Sequence, residues 1–177
     1  MTELAASPDG TLERTPGGGV IRFERHLPYP VEAVWDAITD PARLADWWLP
    51  FDADITVDLR EGGEMVFTAT SGEPPPMTCT VLRVEPPVLF EHTHFVDGVI
   101  LRWDLEAVPE GTVLRFRQHV PNVDDAVESC WMVGLHHSLD RLESALAGTP
   151  VPWNWDAFAA RQARYAEQGL APTPSED

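Results

Sequence analysis

Hydrophobic and polar residues change period several times along this chain, and the changes mark its elements. In residues 20–27, Ile21, Phe23 and Arg25 fall on one side; Val20, Arg22, Glu24 and His26 fall on the other. That two-residue period is a strand. A shorter strand at 10–14 and the Gly-rich turn TPGGG at 15–19 precede it. In YPVEAVWDAITD (29–40) the period becomes helical, with Val31, Val34, Trp35 and Ile38 on one face. Asp40 suits an N-cap and Pro41 a first helical position. A second short helix, PARLADWW, is therefore predicted, with Leu44, Trp47 and Trp48 on one side.

Alternation then returns. Ala53, Ile55, Val57 and Leu59 alternate with Asp52, Asp54, Thr56 and Asp58, a strand over 52–60 with one wet face. Further strands are predicted at 65–70, 77–84, 88–95, 99–108 and 112–120. Between them stand the turn signals EGGE, SGEPPP, Pro86-Pro87, Asp97-Gly98 and PEG. Six strands in series with short turns read as an antiparallel meander. TPGGG is not a phosphate loop, because it leads into a strand and no Gly-Lys-Ser/Thr follows.

One long helix is predicted over 124–148. It opens on Asp125 and Glu128 at capping-box spacing and closes at Gly148. Val127, Trp131, Gly134, Leu135, Ser138, Leu139, Leu142 and Leu146 form its apolar stripe. His137 falls at the edge of the stripe. His136 falls nearly opposite and is expected in solvent. The tail at 151–172 predicts one more amphipathic helix, with Trp155, Phe158, Gln162 and Tyr165 on a face and Gly169 at its end. The organisation expected is a flexible segment at 1–9, a domain at 10–148, and an extension at 149–177 that packs on it through that helix and then frays.

Composition narrows the function. A chain of 177 residues that is 44 % apolar can build one real core. A formal charge of −17 argues against nucleic acid and anionic membranes as partners. Cys79 and Cys130 are too few and too far apart for a disulfide framework or a zinc motif. MTELAASPDG has no basic or apolar signal region, and no run is long enough to span a bilayer, so a cytosolic protein is expected. The seven tryptophans exceed ordinary core needs and suggest a pocket or an interface.

The most suggestive stretch is FEHTHF (90–95). His92 and His94 share one side of a strand with Phe90. That side is taken as inward, because Glu91 would be costly to bury. A metal reading needs a third ligand. His119 lies on an outward face with Arg115 and Arg117, leaving only His137, so no metal and no cofactor is expected. An imidazole in an apolar cavity can instead orient a ligand, or act as an acid or base. The bland alternative is a pair of solvated histidines at a strand end. No Gly-x-Ser-x-Gly, Cys-His dyad or His-Glu-x-x-His is evident.

The segments at 22–48 (RFERHLPYPVEAVWDAITDPARLADWW), 61–67 (EGGEMVF), 81–92 (VLRVEPPVLFEH) and 134–148 (GLHHSLDRLESALAG) resemble the SRPBCC superfamily, the Bet v 1-like or START-like proteins. Within it they are most similar to the Hsp90 ATPase activator branch. The resemblance covers roughly residues 10–170 and implies an α+β helix-grip fold, a curved antiparallel sheet wrapped around a long C-terminal helix. An elongated apolar cavity would lie between sheet and helix. The inward faces then make Trp47, Phe67, Phe90, His92, His94, Trp103, Phe116, Gln118, Trp131 and Leu135 candidate lining residues, with Trp47 a candidate gate and Trp48 partly exposed. Three functions stay open. One is binding of a small, largely apolar or aromatic molecule. The second is polyketide cyclase or aromatase chemistry using His92 or His94. The third is a protein-interaction role with a chaperone partner, and a homodimer is also left open.

Overall fold

The computed structural model describes residues 7–175. Two strands, β1 (Thr11–Thr15) and β2 (Gly18–Leu27), are followed by helices α1 (Val31–Thr39) and α2 (Pro41–Leu44). Then come β3 (Ala53–Val57), β4 (Glu64–Ala69), β5 (Met77–Glu85), β6 (Leu89–Thr93), β7 (Ile100–Val108) and β8 (Gly111–Val120). Three helices close the chain: α3 (Val123–Glu128), α4 (Trp131–Leu146) and α5 (Trp155–Glu167).

All pairings are antiparallel, in the order β1-β2-β8-β7-β6-β5-β4-β3. The β2–β8 pairing joins the opening hairpin to the end of the meander. A register shift between Val81 and Arg83 in β5 interrupts its ladder with β6, and such irregularities bend a strand. The result is the predicted helix-grip fold, a curved sheet around a long helix. Ile21, Phe23, Leu101, Leu105, Leu114 and Phe116 pack from the sheet against Val34, Ile38, Leu139 and Leu142 from the helices. The outer face of the sheet carries crossed ion pairs instead, Arg102–Asp104–Arg117 and Glu24–Arg115–Glu106.

The single helix expected over 124–148 is two. Cys130 adopts a left-handed conformation, φ 59°, between α3 and α4. Asn122, not Asp125, caps α3, accepting from the N–H groups of Asp124 and Asp125. The second helix of the opening pair is one turn only, so Trp47 and Trp48 follow it rather than belong to it. Leu59 lies beyond β3 and is exposed. Gly148 and Gly169 both take positive φ just after a helix end, where a side chain would be strained.

His136 is buried, not solvated. Helical periodicity registers only the stripe of α4 that meets the sheet, whereas α5 covers the next face. The Tyr165 hydroxyl accepts from the Gly10 N–H at 2.8 Å and donates to His136 Nδ1 at 2.7 Å. Pro8 and Asp9 are also tied down. The Pro8 carbonyl accepts from Arg25, and Asp9 pairs with Arg164 of α5. These contacts correct the expectation of a free segment as far as residue 9; its earlier residues, and the extreme end of the tail, lie outside the described range.

Candidate functional site

The inward face of the sheet is built in rows. Phe90, Trp103 and Phe116 are register partners across β6, β7 and β8, and His92, Leu101 and Gln118 are partners in the adjacent inward row. The first row is dry. Trp35 of α1 meets Phe90 edge-on, Trp47 and Trp48 meet Trp103, and Trp103 meets Phe116 at 4.5 Å between ring centroids. Trp47 is fully buried and its indole N–H donates to the Ala37 carbonyl at 2.9 Å. Trp47, Phe90, Trp103 and Phe116 are therefore packed core, not cavity lining, and Trp47 is no gate. The segment from α1 to Trp48 lies over this row, and its rings fill the space.

The second row opens onto a cavity of about 420 Å³. Phe67, His92, His94, Gln118, Trp131 and Leu135 line it, as their positions on strand and helix faces predict. Trp48, Met77, Cys79, Gly134, Trp153 and Phe158 line it as well. Sequence reasoning missed these six as walls. Met77 and Cys79 could have been found from the alternation of β5. Trp153 and Phe158 come from the tail, whose docking site no periodicity reveals.

Each wall has a physical anchor. Arg141 is buried and donates to four carbonyls, those of Asp46, Trp47, Leu49 and Val151. It thereby pins the Trp47–Trp48 segment and the start of the tail to α4. The Ser138 hydroxyl adds a bond to the Trp48 carbonyl. Trp153 is stacked edge-on against His137 at 4.4 Å and lies 5.6 Å from the Arg141 guanidinium. Gly134 sits in mid-helix, and a Cβ built on it would meet nothing within 4 Å.

The two histidines differ. His92 Nδ1–H donates to the Thr93 carbonyl at 2.8 Å, and Nε2 accepts from the Trp103 indole N–H at 3.1 Å. Both nitrogens are thus spent within the protein. Burial pushes its pKa down to about 4, so the ring is neutral at pH 7. In this arrangement the His92 lone pair is engaged by the Trp103 indole and is not offered to the cavity as a base or a metal ligand. His94 Nδ1 accepts from the Val96 N–H at 3.1 Å. Burial and the neighbouring His92 hold His94 at about 4. Neutral His94 therefore carries its proton on Nε2 and offers a donor, not a basic lone pair. Of the two roles left open for His94, orienting a ligand and acting as acid or base, this tautomer fits the first.

Gln118 is 3 % exposed and lines the cavity. No described residue hydrogen-bonds its carboxamide. Burial raises the pKa of the Cys79 thiol to about 11, so it is an inert wall group at neutral pH. Among the described residues, none with a formal charge at neutral pH lines the cavity, and no three His, Cys, Asp or Glu side chains are grouped to hold a metal ion. A second, polar groove of about 690 Å³ runs along His137, Asp140, Arg141 and Arg161. There Arg161 pairs with Asp140, and Arg141 donates to backbone carbonyls.

An eight-stranded antiparallel sheet gripping a long helix, with an internal cavity between them, defines a helix-grip protein. The chain belongs to the Activator of Hsp90 ATPase homolog 1-like protein family, whose model matches residues 28–147. Solved structures share the fold. CalU16 from Micromonospora echinospora is 25 % identical with a TM-score of 0.67, over 93 % of this chain and 98 % of that one. A conserved protein of unknown function, EF2215 from Enterococcus faecalis, is 19 % identical with a TM-score of 0.71, over 94 % and 92 %. An AHSA1-like protein from Aeromonas hydrophila is 24 % identical with a TM-score of 0.63, over 73 % and 92 %. No curated protein matches the chain. No described helix is long and apolar enough to cross a membrane.

Proposed function

We propose that this protein binds a small, largely apolar or aromatic molecule in the cavity between sheet and α4. Its fold is that of ligand-binding and cyclase-like modules, and the lining of the cavity supports the binding reading. The observation that carries the reading is a space of about 420 Å³ walled by Trp48, Phe67, Trp131, Trp153 and Phe158 without a charged group. Such volumes and linings suit drug-sized ligands. Gly134 supports it. Glycine in a helix interior costs about 1 kcal/mol relative to alanine. Nothing near its Cβ position requires the small residue, so the space it leaves is space in the cavity. The occupied lone pairs of His92 and His94 favour binding over acid–base chemistry. A reducing cytosol is the compartment proposed, since both Cys79 and Cys130 are free thiols.

Naphthalene is a suitable probe. The test follows indole N–H resonances of ¹⁵N-labelled protein during titration. The resonances of Trp48 and Trp131 shift while that of Trp47 stays, and Gly134→Leu, which fills the cavity from α4, abolishes the response. Equal shifts of the core residues Trp35, Trp47 and Trp103, or shifts undiminished in Gly134→Leu, would refute a cavity ligand.

A further inference from the structure

We infer that the ligand is uncharged and carries a hydrogen-bonding oxygen, hydroxyl or carbonyl, which Gln118 anchors at the sheet end of the cavity. The inference rests on the binding reading above and deepens it. Three observations converge. Gln118 faces inward from β8, in register with Leu101 and, one strand further, His92. It is 3 % exposed, lines the cavity, and has no hydrogen-bond partner among the described residues. Its carboxamide reaches accessible space on the cavity side, where it pairs with water or with a bound group, so the position offers an anchor to a ligand from outside the chain.

On the sheet side the neighbouring polar groups are engaged, and the Trp153 indole N–H, also without a partner, can only donate, which makes Gln118 distinctive. His92 uses both nitrogens internally, and Ser138 donates to Trp48. His94 offers a donor only. Gln118 alone on this wall can both donate and accept, so it matches a hydroxyl as well as a carbonyl. With strands about 4.8 Å apart, Gln118 stands about 10 Å from His92 across the sheet. The His94 donor lies two residues beyond His92, so it and Gln118 mark separate positions on the lining, more than about 10 Å apart. A carboxylate or ammonium in this cavity would meet no counter-charge, and an unpaired buried ion is strongly disfavoured.

The experiment compares three probes of one shape: naphthalene, 2-naphthol and 2-naphthoate at pH 7. Dissociation constants are measured for the wild-type protein, Gln118→Leu and Gly134→Leu. The wild type binds 2-naphthol about tenfold more tightly than naphthalene, the size of one good hydrogen bond, and binds 2-naphthoate least. Gln118→Leu removes the preference for the hydroxyl and leaves naphthalene affinity nearly unchanged. Addition of 2-naphthol, not naphthalene, shifts the Gln118 side-chain amide resonances of the wild type, a readout that needs no variant. If 2-naphthol and naphthalene bind equally, or the preference survives Gln118→Leu, the anchor is refuted while the cavity reading stands. If no probe binds, or Gly134→Leu leaves binding intact, the cavity reading fails and the anchor fails with it.

Discussion

Two neighbouring rows on the same face of the same strands have opposite fates. Phe90, Trp103 and Phe116 form a dry layer, whereas in the row of His92, Leu101 and Gln118 the two outer members, His92 and Gln118, face an open cavity. Strand chemistry does not separate them, because both rows are inward and almost fully buried. The difference lies in what is laid over them. The first row meets the rings of Trp35, Trp47 and Trp48. The second shares its space with Gly134 of α4. Large residues above one row and a glycine above the next make a filled core and an open cavity a few ångströms apart.

The comparison breaks most severely at Trp103. Truncation of a buried tryptophan costs about 3–5 kcal/mol, and here it also leaves His92 Nε2 without its donor. Trp103→Ala is expected to lower the urea midpoint sharply, with the larger loss falling on this dry side of the molecule. A smaller effect comes from pH. His92 falls from 6.5 to about 4 on folding because burial disfavours its charged form. The unfolded chain then binds more protons between these values, so this stability is present above pH 6.5 and is lost as pH falls toward 4. The loss from His92 is roughly 3 kcal/mol, and His136, also held near 4 chiefly by burial, adds in the same direction. Urea midpoints measured at pH 7 and pH 4.5 should fall with acid, less steeply in His92→Phe.

On the open side the sign reverses or the effect is small. Gly134→Ala is expected to stabilise the protein by about 1 kcal/mol through helix propensity. Gln118→Leu is expected to leave the ligand-free protein within about 1 kcal/mol of the wild type, because its carboxamide faces the cavity and no protein hydrogen bond is lost. Thermal melts of both variants check these values, and a loss of stability in Gly134→Ala would mean that the vacant space is not there. Smallest of all is Trp155→Ala. Trp155 is 62 % exposed at the start of α5, so its removal should move stability by less than about 0.5 kcal/mol, as read by the same melts.

Much of the fold was legible from period alone. The inward positions of Phe67, His92, Gln118 and Leu135 follow from strand and helix faces, and these residues do line the cavity. The faces of Phe90, Trp103 and Phe116 were equally legible, yet these residues are core. Periodicity reports that a side chain points inward; it carries no information about what opposes it. The same limit explains His136. Its position on α4 faces away from the sheet, and only the return of the chain through Tyr165 buries it. Gly134 could be read as part of the stripe, but its missing side chain gained meaning only beside the vacant space.

The sequence by itself determined the order of the strands and the two faces of each, because these depend on local period, and the resemblance of its segments at 22–48, 61–67, 81–92 and 134–148 to a known family implied the helix-grip fold. Tertiary structure alone decided the break at Cys130, the docking of α5, the tautomers of His92 and His94, and which inward row is filled. Those features are differences between what two distant segments present to each other, and neither segment carries the difference alone.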